Sequence, residues 1–455
     1  MKKIIIILLF YFLQCSISQS QNWVNMGFTM NRTPRTLYTD TISNLMYIGG
    51  GGFTYLDTNY IRGIAYWDGV TYHGMGYGID YGGTPGNVLA ITRYNNDIYV
   101  GGAFTAAGNQ YSPNIAKWDG TSWTSIGANG SIESMEVYNN ELYVCGSFDS
   151  IAGIAAHSVA KFDGINWIAI SCPSNIYQLS SIEIFNNNIY VGGIFSDSSG
   201  SVPQNVAVYN SGTWSNVGAG VPGLFASLFK LKVYKNELYA MGRFFTSDGN
   251  PSTSIMKWDG SNWLNVGNGV NGINPTVTSC VELNNELYVA GSFLSAGGIP
   301  ANKIAKWDGI KWCALGSLFN GNIDAIEKYN SQIIVGGGFT KIDGDTMYYM
   351  GKWIGGEFVD TCSIEFTGIE SFSTDNTLNL FPNPSTNQIT LDLSQAITQT
   401  TPIQIKNTLG QTIKTLLFTK GNKQLQIDIS DLAPGFYFVQ LQNGNKMISK
   451  KFIKQ

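Results

Sequence analysis

Side chains that commonly carry catalysis or bind metals are few in this sequence of 455 residues. The two histidines, His73 and His157, lie far apart, which leaves too few imidazoles for a copper site built from several of them. Five arginines are spread along the chain: Arg32, Arg35, Arg62, Arg93 and Arg243. An arginine triad that binds a substrate carboxylate is therefore not expected. We interpret both histidines as satisfied surface residues.

Many acidic residues recur periodically and do not form pairs. An Asp-Gly dipeptide recurs at the same position of five repeats, at Asp68, Asp119, Asp163, Asp259 and Asp308. Asp before Gly is typical of a tight turn between strands, so we interpret these carboxylates as turn residues. Glycoside hydrolysis needs two carboxyl groups with different roles held close together. One carboxylate per repeat cannot assemble such a pair.

The irregular loops offer little more for a catalytic or metal site. Three of them, 196–200, 247–249 and 341–345, carry oxygen ligands, but each has fewer than the roughly six to eight that calcium takes. A one-off site around Asp343 and Asp345, or near Arg62 and His73, stays open. The sequence has no phosphate-binding Gly-Lys-Ser/Thr loop, Gly-x-Ser-x-Gly elbow or His-Glu-x-x-His motif. We therefore assign no catalytic, cofactor-binding or metal-binding residue and expect no cofactor.

Internal repeats dominate the chain up to its last hundred or so residues. A string of the type Tyr-Val-Gly-Gly occurs seven times, at intervals of 52, 44, 47, 49, 49 and 46 residues. The copies begin at Tyr47, Tyr99, Tyr143, Tyr190, Tyr239, Tyr288 and Ile334. The regular interval predicts one structural unit per copy.

Each repeat contains four segments with the pattern of short β-strands. A run of alternating apolar and polar residues, such as 134–138, precedes the glycine string. An Asn-rich turn joins the two, because Asn tolerates the left-handed backbone of a tight hairpin. A third strand, an Asp-Gly turn and a fourth strand that opens on Trp complete the unit. Four antiparallel strands of this length are typical of one blade of a β-propeller.

The glycines and aromatic residues of the repeat also suit a propeller. Glycine fits where neighbouring backbones approach closely near the axis, and large aromatic side chains fill the wider space between blades. Residues 21–361 resemble the kelch repeat family, in which a hydrophobic strand ends in Gly-Gly and Trp follows later. The resemblance implies a seven-bladed β-propeller, usually with a binding role. Either 23–27 or 355–359 completes the last blade, and we favour the N-terminal segment.

Composition agrees with an all-β protein. Glycine is abundant, 53 residues, whereas charged residues make up only 13% of the chain, which disfavours long helices. The net charge is −4 and no basic cluster is present, so a nucleic-acid partner is not expected.

The N-terminus has the pattern of an export signal, which we place at 1–20. Two lysines precede a short apolar run, and small residues follow it. No segment reaches the length of a transmembrane helix. Five cysteines follow the signal: Cys145, Cys172, Cys280, Cys313 and Cys362. We interpret them as small buried residues in strands.

A separate module is predicted at 377–455, after a polar linker at 362–376. It contains alternating strands separated by turns, which predicts a small β-sandwich. Its ordered motifs, 380–384, 405–411, 431–439 and 450–454, resemble the type A sorting domain of type IX secretion substrates. The resemblance implies passage through the outer membrane by the type IX machinery, and then release or attachment to the cell surface.

The predicted function is therefore that of a secreted or cell-surface propeller protein that acts as a non-catalytic binding or adhesion module. Its partners would be the type IX machinery, through 377–455, and an extracellular glycan or protein. The alternative is a secreted hydrolase or lyase that acts on polysaccharide, with an active site at the propeller axis. A third reading is a repetitive structural component of the cell envelope.

Overall fold

The structure, a computed structural model, describes most of the chain. The described residues are 23–173, 175–176, 178–195, 204–355, 362, 378–393, 396, 400–407, 412–443 and 446–455, with only the backbone at 442–443 and 446–449. The predicted signal peptide and residues 363–376 of the predicted linker lie outside them. The chain divides into two compact units, Met1–Phe366 and Thr367–Gln455.

The predicted all-β class is confirmed. Among the described residues, the helical structure consists of a single 3₁₀ turn at Thr246–Asp248. Every strand pair between named strands is antiparallel, as expected for strands joined by short turns.

Seven four-stranded sheets of the first unit correspond to the seven copies of the repeat. Sheet 1 is Pro34–Asp40, Leu45–Gly50, Ile64–Trp67 and Tyr72–Gly74; sheet 2 is Asn87–Tyr94, Asp97–Ala103, Ile115–Trp118 and Trp123–Ser125; sheet 3 is Ser131–Tyr138, Glu141–Ser147, Val159–Phe162 and Trp167–Ala169; sheet 4 is Leu179–Phe185, Asn188–Gly193, Val206–Asn210 and Thr213–Asn216. Sheet 5 is Ser227–Tyr234, Glu237–Arg243, Ile255–Trp258 and Trp263–Asn265; sheet 6 is Thr276–Leu283, Glu286–Ser292, Ile304–Trp307 and Trp312–Ala314; sheet 7 is Ile323–Tyr329, Gln332–Gly337, Met350–Trp353 and Trp23–Val24.

Hairpin turns at one end of the sheets follow the predicted chemistry. Asn139 and Asn140, which join the first two strands of sheet 3, have φ angles of 48° and 61°. Asn186 and Asn187 of sheet 4 have 49° and 63°. Two consecutive residues with positive φ twist the hairpin in the same sense as the strands, and Asn tolerates this backbone well. The local sequence therefore sets the register of each hairpin.

We call the first strand of each sheet its inner strand. Each inner strand packs against the inner strands of the preceding and following sheets, and that of sheet 7 packs against that of sheet 1. Glycines of the second strands permit this close approach. A Cβ atom on Gly192 would lie 2.2 Å from Leu228, and one on Gly336 would lie 2.5 Å from Pro34.

Tryptophans that open the fourth strands connect consecutive sheets. The indole N–H groups of Trp123, Trp214, Trp263 and Trp312 donate to backbone carbonyls of the preceding repeat, at 2.9, 3.1, 3.0 and 3.0 Å. These side chains fill the space between sheets and satisfy their one polar group there. The predicted role of the repeated aromatics is thus borne out in the packing.

The N-terminal strand Trp23–Val24 supplies the fourth strand of sheet 7, as favoured from the sequence. Trp23 lies opposite Trp353, and its indole N–H donates to the Ser317 hydroxyl at 2.7 Å. The competing segment, 355–359, lies outside the described residues except for Gly355. Pairing of the two ends of the repeat region covers a strand edge that would otherwise be open.

Long connections lie at the other end of the sheets, which we call the loop face. They join the second strand to the third and the fourth strand to the next sheet. Short hairpins brace them: Tyr55–Leu56 with Asn59–Tyr60; Ser150–Ile151 with Ile154–Ala155; Lys341–Ile342 with Asp345–Thr346; and Val270–Asn271 with Ser295–Ala296 and Ile299–Pro300. A further small sheet contains, in order, Gln110–Tyr111, Ala106–Ala107, Ile79–Tyr81 and Thr84–Pro85. The opposite end, with the Asn and Asp-Gly turns, is the turn end.

The second unit contains two sheets that share one core. One sheet has Leu378–Phe381, Gln388–Leu393 and Gln424–Asp428, and the other has Thr412–Phe418, Thr401–Lys406, Gly435–Asn443 and Lys446–Lys454. Ile389 and Leu391 of the first sheet and Ile405 and Val439 of the second are fully buried in that core. This is the arrangement expected of a small β-sandwich.

The cysteines require a correction. Cys145, Cys172 and Cys280 are free and buried, as predicted. Cys313 and Cys362, however, form a disulfide, although both were expected to be unpaired. They are 49 residues apart and share no spacing motif, so no sequence pattern indicates the pair.

Candidate functional site

The two histidines lie in different sheets and each pairs locally. His73 Nε2 lies 3.0 Å from an Asp68 oxygen, and its ring stacks on Tyr66. His157 Nδ1 lies 2.7 Å from an Asp149 oxygen. In the described part of the chain, no group of three His, Cys, Asp or Glu side chains is placed to hold a metal ion.

The carboxylates of the Asp-Gly turns act as turn residues. Asp119 Oδ1 accepts hydrogen bonds from the backbone N–H groups of Thr121 and Ser122, both at 2.8 Å. Asp68 and Asp163 accept the equivalent bonds. Bonds of this type, with that of Thr121 the largest cause, hold the pKa of Asp119 below its usual range. These carboxylates stabilise turns at the turn end.

The one-off sites considered from the sequence are only partly realised. Asp343 Oδ1 accepts the backbone N–H of Leu318 at 2.7 Å, so that carboxylate caps a loop. Loop 196–200 lies outside the described residues. Arg62 does not approach His73, because His73 pairs toward the turn end while Arg62 forms an ion pair with Asp80 on the loop face.

The expectation that carboxylates do not converge is wrong for the inner strands. Glu136, Glu183 and Glu327 lie on three different sheets, and all interact electrostatically with Lys232. The Lys232 Nζ atom lies 4.0 Å from a Glu183 oxygen. We call these four residues, with Lys230, the axial cluster. The two lysines are visible in the sequence as charged residues at alternate positions of a mainly apolar strand, Ser227–Tyr234, whereas the glutamates show no such pattern.

Burial dominates the protonation of the axial cluster. It raises the pKa of Glu327 to about 7, against the weaker effects of the Lys328 N–H and of the lysines. It also raises the pKa of Glu136, and the neighbouring Glu183 carboxylate adds to that rise. Burial would lower the pKa of Lys232, but the Glu183 and Glu136 carboxylates outweigh it and raise that pKa. Carboxyl groups with such pKa values can exchange protons near neutral pH.

A second set of ionisable groups sits where β-bulges interrupt the inner strands, at the end nearer the loop face. Arg35, Glu133 and Asp324 are the extra residues of the bulges in sheets 1, 3 and 7. Burial raises the pKa of both acids, while the charge of Arg35 opposes the rise. A bulge turns its extra side chain out of the regular alternation of the strand. A search for alternating residues in the sequence therefore did not identify these three residues.

A cleft of about 770 Å³ opens on the loop face between sheets 1 and 2. Three tyrosines line it: Tyr60, Tyr77 and Tyr111, with 55%, 70% and 77% of their surface exposed. Exposed aromatic side chains in a concave surface are typical of ligand sites. We call this feature the tyrosine cleft.

A charged pair lies among the residues that line the tyrosine cleft. Arg62 forms an ion pair with Asp80, and its Nε also donates to the Tyr60 hydroxyl at 2.7 Å. The backbone N–H of Gly83 donates to Asp80 Oδ1 at 2.8 Å. The pair presents donors and acceptors with no net charge.

The backbone around the tyrosine cleft is held in place by neighbouring elements. In the small sheet, Ile79–Tyr81 pairs with Ala106–Ala107, the first strand of the hairpin that ends in Tyr111. Trp123 donates its indole N–H to the Met75 carbonyl at 2.9 Å. Gly78 has a φ of +73°, and a Cβ atom there would lie 2.3 Å from the Arg62 carbonyl oxygen. The site is therefore largely preformed.

A second cleft of about 500 Å³ adjoins the first, and Tyr111 lines both. It lies between the loops of sheets 2 and 3 and includes Asn114, Ser125, Asn129 and Ser150. The two clefts form a path across the loop face with one exposed aromatic ring between them.

Comparison with known proteins identifies the end of the chain. Residues 379–455 match the family described as the secretion system C-terminal sorting domain. The C-terminus is a sorting domain. It directs the protein by type IX secretion to the cell surface or the extracellular space, which confirms the predicted location and the predicted interaction with the type IX machinery.

Comparison with solved structures gives two distant likenesses. One is to the GH74 enzyme of Niastella koreensis, at 13% identity over 94% of this chain and 74% of that one, with a TM-score of 0.45. The other is to a protein of unknown function from Bacteroides thetaiotaomicron, at 12% identity over 60% and 69% of the chains, with a TM-score of 0.33. No curated protein matches the chain. These results do not support the expectation of a non-enzyme, which stays a prediction.

No helix among the described residues is long and apolar enough to cross a membrane.

Proposed function

We propose that residues 21–361 are a seven-bladed β-propeller of kelch-like repeats that acts outside the cell as a non-catalytic binding or adhesion module. A signal peptide at 1–20, a linker at 362–376 and the sorting domain, taken as 377–455, complete the proposed chain. Seven sheets whose inner strands pack in a ring support the blade count. The strand Trp23–Val24 in sheet 7 supports closure at the N-terminus.

The observation that carries the binding role is the distribution of exposed apolar side chains. The loop face displays a larger set than the turn end does. Its exposed members include Tyr55, Tyr60, Tyr77, Tyr81, Tyr111, Leu224, Phe225, Ile273, Leu294, Leu318 and Tyr348. The loops of the first two sheets supply the tyrosines around the tyrosine cleft, and those of the later sheets supply mainly aliphatic residues. Large exposed apolar surface on loops held by a rigid scaffold is typical of a binding face.

The test compares the two ends of the molecule. The full chain, labelled with a fluorophore, is applied to glycan and protein arrays beside two variants. One carries Tyr111→Ala and Phe225→Ser on the loop face, and the control carries Val70→Ser and Ile165→Ser in exposed turns at the turn end. We expect ligands of the wild type to be lost by the loop-face variant and kept by the control. Binding that is lost only by the turn-end variant would refute the proposal.

The second candidate function is a polysaccharide hydrolase or lyase with an active site at the axis. The axial cluster favours it, because carboxyl groups with raised pKa values from different sheets converge there. Glu133, Asp324 and Arg35 extend the ionisable groups toward the loop face. Turnover of a polysaccharide that is abolished by Glu327→Gln or Glu133→Gln, in a variant that circular dichroism shows to be folded, would establish this function instead.

A further inference from the structure

The hairpins of the loop face share one backbone arrangement but differ in one side chain. In sheet 2, Tyr111 lies across the hairpin from Ala106. The same position in the other described hairpins is occupied by Tyr60, Ala155, Pro300 and Thr346. The fold therefore does not need an aromatic residue at this position. Tyrosine occurs there in the two hairpins that line the tyrosine cleft.

Asp80 also departs from the pattern of the repeat. Each of five hairpins pairs with a residue from the connection that precedes it, namely Met30, Ile79, Ala128, Val270 and Phe319. The residue that follows is Asn31, Asn129, Asn271 or Asn320 in four cases. The amide oxygens of Asn31, Asn129 and Asn320 accept backbone N–H groups of the next loop, at 2.8 to 3.2 Å. In the tyrosine cleft this position is Asp80, which instead pairs with Arg62.

Tyr77 is the third departure. It stands in a turn closed by a hydrogen bond from Gly78 N–H to the Met75 carbonyl at 3.0 Å. The same turn recurs after sheets 4 and 5, where Gly220 and Gly269 donate the equivalent bonds. The residues before those glycines are Ala219 and Asn268. Asn268 has a positive φ of 65°, which neither Tyr77 nor Ala219 has, so the turn after sheet 4 is the close match and forms with alanine in place of tyrosine.

We propose that the tyrosine cleft binds a neutral polysaccharide chain. The inference rests on the proposed binding function and names the class of ligand. Tyr77, Asp80 and Tyr111 differ from the residues at the equivalent positions of other repeats, so the fold that the repeats share does not require them. All three line the same cleft. Their coincidence points to selection for a ligand.

The chemistry of the lining fits sugars. The flat ring of an exposed tyrosine contacts the apolar C–H face of a pyranose, while its hydroxyl stays available to a polar ligand. Arg62 and Asp80 together offer hydrogen-bond donors and acceptors suited to neighbouring sugar hydroxyls. Because their charges compensate, the pair gives no net attraction for a uronate or sulfate group. The aliphatic residues elsewhere on the loop face would form a better contact surface for a protein ligand.

The adjoining clefts favour a chain over a single sugar. Tyr111 lines both, so a ligand that crosses its ring enters the second cleft without leaving the surface. The second cleft adds the polar side chains of Asn114 and Ser125. Affinity should therefore increase with the number of sugar units until both clefts are filled.

The test uses the full chain and variants that install residues which the protein already carries at equivalent positions. These are Tyr77→Ala, as in Ala219, Asp80→Asn, as in Asn129, and Tyr111→Ala, as in Ala155. The two tyrosine variants should keep the wild-type melting temperature, whereas Asp80→Asn removes the ion pair with Arg62 and should lower it slightly while the protein stays folded. Calorimetric titration with cello-, xylo- and malto-oligosaccharides of increasing length is compared with titration by oligomers of galacturonate. Val70→Ser at the turn end is the control that should leave binding unchanged.

We expect one neutral series to bind with affinity that rises with length, and each cleft variant to weaken it about tenfold or more. Tighter binding of the uronate oligomers would overturn the inference. A ligand whose binding depends on Phe225 and not on Tyr77 or Asp80, as expected for a protein, would also overturn the inference. That result would leave the proposed function of the loop face intact. Binding that depends on neither the tyrosine cleft nor Phe225, but on Val70, would overturn both.

Discussion

At the scale of single residues, the inner strands carry charge where a repeat of this kind would be expected to carry small or apolar groups. In each sheet, one residue of the inner strand pairs with the repeated Tyr of the second strand, or with Ile334 in sheet 7. From sheet 1 to sheet 7 these residues are Tyr38, Thr92, Glu136, Glu183, Lys232, Val281 and Glu327. Three acids at these positions have raised pKa values, chiefly because the surrounding protein removes water from them. Buried charge of this kind makes stability depend on pH.

Glu327→Gln should stabilise the protein at neutral and alkaline pH. The folded state raises the pKa of Glu327 from 4.5 to about 7, so it binds this proton more tightly than the unfolded state does. Stability of the wild type therefore falls as pH rises from about 4.5 to 7, and Gln removes that loss. We expect the free energy of unfolding of the variant to be roughly 2 kcal/mol higher at pH 8. This is less than the full pKa difference would give, because water reaches the half-buried carboxyl group. Urea denaturation at several pH values measures it, and parallel stability curves across that range would contradict it.

Counting the cysteine thiols tests the disulfide directly. The denatured mature chain, which we take to begin after residue 20, contains Cys145, Cys172, Cys280 and the bonded pair. Iodoacetamide should label three cysteines without reductant and five after reduction, as read from the intact mass. Closure of a 49-residue separation should contribute about 4 kcal/mol of chain entropy, so Cys362→Ala should lower the melting temperature. Five labels without reductant would show that the pair is open.

At the scale of elements, the close packing of sheets around the inner strands depends on small residues at fixed positions. Gly336 faces the Pro34 ring of sheet 1, so it lies where the last sheet meets the first. Gly338, two residues later and beyond the end of the strand, has no atom within 4 Å of the place where a Cβ would stand. The two glycines therefore form a matched pair, one confined and one open.

Gly336→Val should destabilise the first unit by about 3 kcal/mol, whereas Gly338→Val should cost less than about 1 kcal/mol. The side chain at 336 would overlap a rigid proline ring and force the two sheets apart. Thermal unfolding of both variants, followed by circular dichroism, makes the comparison. Equal melting temperatures would show that the inner strands do not pack as tightly as described.

The sequence predicts elements well where one residue type has one local role. The Asn turns, the Asp-Gly turns and the glycine strands follow from backbone conformation alone, and each lies where the repeat places it. The β-bulges at Arg35, Glu133 and Asp324 have no such local signal, since any residue can occupy them. The tyrosine cleft was missed for a related reason. Tyr111 lies in a different connection from Tyr77 and Asp80, and the departure of all three from the repeat is evident only when equivalent positions are aligned by strand pairing.

At the scale of the whole molecule, the chain combines a repeat unit with a separate sorting domain. Each has its own core: the first unit has several clusters between its sheets, and the second has one. The sorting domain accounts for export, whereas the tyrosine cleft and the axial cluster both belong to the first unit. Export and ligand binding should therefore be separable by mutation.

Deletion of 377–455 should leave the repeat unit folded but retained in the periplasm of the producing cell. The two units have independent cores, and the family match for export lies within the deleted residues. Cell fractionation with an antibody against the repeat unit measures the location, and protease resistance of the retained material reports folding. Normal amounts of the truncated protein outside the cell would contradict the role of the sorting domain.

The central claim is that this exported protein binds a ligand through its loop face without converting it. The most direct measurement incubates the purified chain with a polysaccharide that it binds and follows both the bound fraction and the polymer length by size-exclusion chromatography. We expect saturable binding that Asp80→Asn weakens, with the length distribution of the polymer unchanged after prolonged incubation. Shortening of the polymer that Glu327→Gln or Glu133→Gln abolishes would contradict it and place an active site at the axis.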